Sequence, residues 1–194
     1  MKRLILSVAV ALTVCLASWA EEAQQEVTVQ GSGIFNKETT GNGITNKPTN
    51  SGGFVVGYRH NFNRLLAVEA DSDYFRPSQK YNTSTGGSGY VKTNTYAITG
   101  TAVIKIPTSF KLKPYALAGG GALVFDPRDS SLGDQTRGAF VYGGGADYKL
   151  MNHIALRAQY RGFVYKVPDF GTSALHVDKF THSAVPSAGL VFSF

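Results

Sequence analysis

The chain has 194 residues, a formal net charge of +6, 22 glycines, ten tyrosines, twelve phenylalanines and a single cysteine. That length limits it to one domain, or one domain and a targeting segment. The basic residues form no block, which argues against nucleic acid as a partner, and Cys15 alone cannot form a disulfide within the chain.

Lys2 and Arg3 precede an apolar run from Leu4 to Leu16, and Ser18-Trp19-Ala20 puts small residues at the two positions that matter for cleavage. The run is too short to cross a bilayer as a helix. The pattern predicts a signal peptide over residues 1–20 and a mature domain over 21–194. A rival reading takes Leu12-Thr13-Val14-Cys15 as a lipidation site, although Val14 is large for the position before the cysteine. Cleavage after Ala20 leaves 17 basic and 13 acidic residues, a net charge of +4, with neither Cys15 nor Trp19.

Beyond residue 20 no stretch carries the 3.6-residue period of a helix, and alternation with a period of two recurs instead. The first predicted strand, 26–35, sets Val27, Val29, Gly31, Gly33 and Phe35 against Thr28, Gln30 and Ser32. A polar loop over 36–50 follows. The second, 52–59, sets Phe54, Val56 and Tyr58 against Val55, Gly57 and Arg59. After a turn at 60–63, the third, 65–75, sets Leu66, Val68, Ala70, Ser72 and Tyr74 against Ala67, Glu69, Asp71 and Asp73. A second polar loop covers 76–89.

The fourth strand, 90–106, opposes Tyr96, Ile98, Gly100, Ala102, Ile104 and Ile106 to Thr95, Ala97, Thr99, Thr101, Val103 and Lys105. A turn at 107–112 leads to the fifth, 113–125. Its outer face is read as Tyr115, Leu117, Gly119, Gly121, Leu123 and Phe125, and its inner face as Ala116, Ala118, Gly120, Ala122 and Val124. A loop over 126–136 precedes the sixth, 137–148, with Phe140, Tyr142, Gly144, Ala146 and Tyr148 against Val141, Gly143, Gly145 and Asp147. The seventh, 154–165, follows a turn at 149–153 and opposes Ile154, Leu156, Ala158, Tyr160, Gly162 and Val164 to Ala155, Arg157, Gln159, Arg161, Phe163 and Tyr165. Past a loop over 167–181, the last strand, 185–194, alternates Pro186, Ala188, Leu190, Phe192 and Phe194 with Ser187, Gly189, Val191 and Ser193. Pro186 lacks a ladder donor, which predicts a place near the rim or at a bulge.

Long connections follow the odd strands and short ones the even strands. This predicts an all-β fold, an eight-stranded antiparallel up-and-down transmembrane barrel with short periplasmic turns and long extracellular loops. The parity that carries Arg59, Glu69, Asp71, Asp73, Lys105, Asp147, Arg157 and Arg161 is assigned to the lumen. The small residues of strands five and six on that parity suit a crowded eight-strand interior. The other parity places aromatics near the strand ends: Tyr58, Tyr115, Tyr148 and Phe194 at one rim, and Phe35, Tyr74, Phe125 and Phe140 at the other. Two interfacial girdles have this form. A soluble barrel with its apolar face inward would show Lys and Glu across the outer one.

The leader, the eight alternating strands, the unequal loops and the terminal Phe194 together resemble the small OmpA/OmpX-like bacterial outer-membrane β-barrels over 26–194. The resemblance implies an assembly signal at Leu190, Phe192 and Phe194, read by the barrel-assembly machinery. It also implies periplasmic chaperones in transit, outer-membrane lipids as surroundings and a monomeric state.

The chemistry read from the residues is sparse. Four acids and four bases in a narrow lumen are expected to pair in a buried ionic network, because an unpaired buried charge costs several kcal/mol. Such a network either holds the fold or gates a narrow ion path. Lipid A deacylases share this fold and resemble serine hydrolases with a His-x-Ser pair and a following Glu. Here His182 and Ser183 are adjacent, so they take opposite faces, and no glutamate follows. His176, Asp178 and His182 lack rigid spacing and a fourth ligand, so no metal site and no cofactor are expected. The glycine triplets 119–121 and 143–145 lack the strand-to-helix setting of a phosphate loop. The reading is a non-catalytic barrel with a structural or surface-interaction role through loops that name no ligand. A narrow porin-like channel for ions or small solutes is the alternative, and a lipid-modifying enzyme ranks third.

Overall fold

The computed structural model describes residues 25–42, 44–83, 88–128, 133–170 and 177–194. The predicted signal segment and His176 lie outside them. The described residues form eleven strands: β1 (Gln25–Asn36), β2 (Thr39–Gly41), β3 (Ile44–Asn46), β4 (Ser51–Asn61), β5 (Leu66–Phe75), β6 (Ser78–Thr83), β7 (Ser88–Lys105), β8 (Leu112–Pro127), β9 (Gln135–Lys149), β10 (Ile154–Lys166) and β11 (Phe180–Ser193). Eight of them form a closed antiparallel wall in the order β1-β4-β5-β7-β8-β9-β10-β11, and β11 pairs back onto β1. Closure leaves no open edge in this eight-stranded wall, and the seam from Glu26↔Ser193 to Asn36↔Ser183 is the pairing that achieves it.

Seven of the eight wall strands keep the parity expected from their sequence. Val29, Phe54, Val68, Ile98, Ile104, Phe140, Leu156 and Phe192 point outward, with Ile98 67% exposed and Phe140 55%. Arg59, Glu69, Thr99, Val141, Arg157 and Val191 are buried inside. A continuous apolar belt of this extent has no place in water, and it matches the lipid face of a membrane barrel.

β8 is the exception, and its two faces are the reverse of those expected. Tyr115, Leu117, Leu123 and Phe125 are buried in the lumen, while Ala116, Ala118 and Gly120 face outward. The middle of β8 carries no charged residue, so volume decides the side. Across the ladder Tyr115 sits opposite Gly145 and Leu117 opposite Gly143. The bare inward positions of β9 leave space that large β8 side chains fill, as close packing of an interior requires. A Cβ added to Gly145 would stand 2.7 Å from the Tyr115 hydroxyl. Tyr115 and Phe125 therefore belong to the core and not to the girdles.

Two predicted loops also contain strands. β2 and β3 lie within 36–50, and β6 within 76–89. They pair in the order β2-β3-β6-β7, so the long β7 carries a small sheet beyond the wall. Thr, Asn and Ser make up most of these segments, and a largely polar sequence gives little alternation to read. β11 likewise begins five residues earlier than expected, at Phe180.

Pro186 sits mid-strand. The ladder to β10 runs unbroken through Tyr160↔Pro186. The ladder to β1 lapses between Ser32↔Ser187 and Phe35↔Ala184 and resumes in the same register. The missing proline donor thus costs a gap on one side without a bulge.

Candidate functional site

The lumen is a packed column with an ionic layer toward the short turns and an apolar layer toward the long loops. β4, β5, β9 and β10 bring Arg59, Glu69, Asp147 and Arg157 to one level, because Arg59 pairs across with Glu69 and Arg157 with Asp147. Arg59 Nε donates to Glu69 Oε2 at 2.6 Å. Arg157 Nε donates to Asp147 Oδ1 at 2.6 Å and its Nη2 to Asp147 Oδ2 at 2.8 Å, a two-pronged grip. Arg157 also reaches across the lumen, through Nη1 to Glu69 Oε2 at 3.0 Å and through Nη2 to Glu26 Oε2 at 2.8 Å. Arg59 returns the crossing, with Nη1 3.3 Å from Asp147 Oδ2. Both arginines are fully buried.

Tyr115 stands beside them. Its ring centre is 4.2 Å from Arg59 Cζ and 5.3 Å from Arg157 Cζ, so both guanidiniums lie against an aromatic face. One level further in, Gln159 donates to Glu69 Oε1 at 2.9 Å, Gln30 to Gln159 at 3.4 Å, and Ser187 to Gln30 at 3.0 Å. Arg161 forms a second ionic group. Its Nη1 is 3.2 Å from Asp71 Oδ2, and its guanidinium grips Asp73, also from within the lumen.

Above Arg161 the column turns apolar. Phe75, Leu123, Phe125, Val141, Phe163, Tyr165 and Val185 are each at most 2% exposed. Ile34, Ile44, Val91, Val167, Phe170 and Val177 continue the same cluster toward the loops. The Gln135 carboxamide oxygen accepts from the backbone nitrogens of Asp169 and Phe170 at 2.8 and 3.0 Å, which holds Phe170 over the column.

The expected residues are thus distributed as follows. Arg59, Glu69, Asp147 and Arg157 form one cluster, and Asp71, Asp73 and Arg161 form another. Lys105 joins neither directly, since its Nζ donates to Asn61 Oδ1 at 2.8 Å and Asn61 in turn donates to Glu26 at 2.9 Å. Glu26, Asn61, Gln30, Gln159, Ser187 and Tyr115 are the members that the charge pattern did not single out. Glu26 shares the parity of Thr28 and Gln30, which is the signal that would have included it. Because Lys105 contacts a neutral amide, Lys105→Met should cost only about 1 kcal/mol in urea unfolding.

The other chemistry-bearing residues lie apart. Ser183 points inward and bonds Asn36 Oδ1 at 2.6 Å and the Tyr165 hydroxyl at 2.9 Å, whereas His182 faces out, 3.1 Å from the Tyr142 hydroxyl. Asp178 pairs with Lys166 at 3.2 Å. Among the described residues no three His, Cys, Asp or Glu side chains are grouped to hold a metal.

The model of a family described as the outer membrane protein β-barrel domain matches residues 6–185. Solved structures of similar fold include OprG from Pseudomonas aeruginosa, 15% identical, with a TM-score of 0.66, covering 90% of this chain and 98% of that one. Neisserial surface protein A is 17% identical with a TM-score of 0.65, covering 88% and 97%. Ail, the attachment invasion locus protein of Yersinia pestis, is 16% identical with a TM-score of 0.50, covering 87% and 99%. No curated protein matches in sequence.

Proposed function

We propose that this chain, which belongs to the outer membrane protein β-barrel domain family, is a non-catalytic, monomeric barrel that acts at the cell surface through its long loops. The observation that carries this reading is the filled lumen. Fully buried Arg59, Arg157 and Arg161 occupy the side toward the short turns, and Phe75, Phe125, Phe163 and Tyr165 the side toward the loops. A column packed this way holds the wall together and leaves the loop sheet β2-β3-β6-β7 as the part presented outward. The name of Ail, a structural neighbour, refers to attachment, which fits the same use of the fold.

In this reading residues 1–20 are a leader removed during export. Leu190, Phe192 and Phe194 are the feature that the assembly machinery reads, and the two lumenal ion clusters keep the barrel shut. Planar-bilayer recording and cell adherence test it together. The purified protein should give no unitary conductance, and cells displaying it should adhere to at least one of a panel of glycan- and protein-coated surfaces better than cells that lack it. Adherence should fall to background when residues 36–50 are replaced by a Gly-Ser linker. Steady conductance steps that change with Glu69→Gln would favour the narrow channel instead.

A further inference from the structure

The three short turns share one composition. Residues 60–65, 105–113 and 149–153 contain no Asp or Glu. They carry exposed Arg64, Lys111, Lys113 and Lys149, and beside these the apolar tips Phe62, Phe110, Leu150 and Met151. Phe110 is 79% exposed and Met151 68%. Antiparallel topology gathers all three turns at one rim. The acids of the described residues lie elsewhere: Glu26, Glu69, Asp71, Asp73 and Asp147 in or bordering the lumen, and Glu38, Asp126, Asp134, Asp169 and Asp178 at the loop end.

An aqueous turn gains nothing from an exposed phenylalanine or methionine, so these tips call for an apolar neighbour. The geometry supplies one. A strand tilted by roughly 40° rises about 2.5 Å per residue along the barrel axis. A tip two or three residues past the wall therefore stays within about 8 Å of the hydrocarbon edge, inside the headgroup layer of a leaflet. At that depth Phe110 and Met151 reach the acyl boundary while Lys111, Lys113 and Lys149 stand among phosphates.

We propose that this rim is a binding surface for anionic phospholipid headgroups of the phosphatidylglycerol type in the periplasmic leaflet. The proposal rests on the outer-membrane reading above and adds to it a lipid preference located at the short turns. Cationic side chains at an anionic membrane surface each favour binding by about fivefold at low salt. A zwitterionic headgroup offers no such net attraction.

The test uses the full barrel reconstituted in phosphatidylcholine vesicles with spin-labelled phosphatidylglycerol or spin-labelled phosphatidylcholine as the probe. The immobilised fraction of each probe gives their relative association with the protein. Phosphatidylglycerol should be preferred several-fold, the preference should shrink as salt is added, and Lys111→Gln/Lys113→Gln/Lys149→Gln should bring it close to one. Lys37→Gln/Lys179→Gln, at the loop end, should leave it in place. Equal association of the two probes overturns the proposal, as does a preference that survives the triple substitution. So does loss of co-sedimentation with purified peptidoglycan sacculi in the triple variant without any lipid preference in the parent, which would assign the rim to the cell wall. Because insertion is scored separately by the gel shift on boiling, failure to insert into any vesicle would overturn the membrane reading as well.

Discussion

Arg157→Ala should cost the folded barrel roughly 3–5 kcal/mol in urea unfolding, the largest effect expected of any lumenal charge. Arg157 contacts Glu26, Glu69 and Asp147 at once, at 2.8, 3.0 and 2.6 Å. Its removal leaves buried Glu69 and part-buried Glu26 and Asp147 to share Arg59. The penalty comes from stranding those charges more than from losing the bonds, and this distinction is measurable. Arg157→Met combined with Glu69→Gln and Asp147→Asn removes charge of both signs and should recover most of the loss, since neutral groups of similar volume cost little to bury. Arg157→Lys keeps the charge but cannot grip both Asp147 oxygens and reach Glu69 together, so it should fall between the two. Unfolding is best followed by far-ultraviolet circular dichroism or by the gel shift on boiling, because the chain's single tryptophan, Trp19, lies in the predicted leader. If Arg157→Ala unfolds within about 1 kcal/mol of the parent, the cluster is not what keeps the barrel shut.

The same cluster marks how far the residues can be read in one dimension. Arg59, Glu69 and Arg157 each fall on a strand whose other parity is uncharged and mostly apolar, so parity alone sends them inward. Which acid meets which base depends on register. Arg157 and Glu69 are 88 residues apart and Arg157 and Glu26 are 131 apart, and only the stagger of the closed wall brings them to one level. The strand boundaries around the turns were legible for the same reason as the faces, since Asn63 and Pro107 interrupt strong alternation. The loop strands were not, because 39–46 and 78–83 are short and mostly polar, and Ile44, their single aliphatic residue, sets up no alternation. β8 shows a different limit. Its two parities hold small residues and large apolar ones, both of which a lipid wall or a lumen accepts. The bare Gly143 and Gly145 of the next strand decide between them. Reading a strand for its neighbour's missing volume as well as its own polarity would have placed Tyr115 correctly.

Tyr115→Ala should be the second most costly change, at about 3–5 kcal/mol, and it tests that inverted face directly. A buried aromatic truncated to alanine loses its apolar contacts and leaves a cavity. Here the cavity would open against Arg59 and Arg157, whose guanidiniums would also lose a ring face worth about 1–2 kcal/mol when desolvated. Tyr115→Phe keeps the ring and removes a buried hydroxyl that has no hydrogen-bond partner among the described residues, so it should be neutral or slightly stabilising. Gly145→Val then completes the argument from the other side of the ladder. Its side chain would meet the Tyr115 ring, with Cζ 2.9 Å from the first added carbon, and the Ala158 carbonyl at 2.5 Å. Overpacking of this kind costs about 1–3 kcal/mol. In the background of Tyr115→Ala the ring clash is gone, so the cost of Gly145→Val should drop by 1 kcal/mol or more, and the two substitutions should be non-additive. Were Tyr115 on the lipid face, as its sequence parity first implied, Tyr115→Ala would change stability by far less and the pair would add.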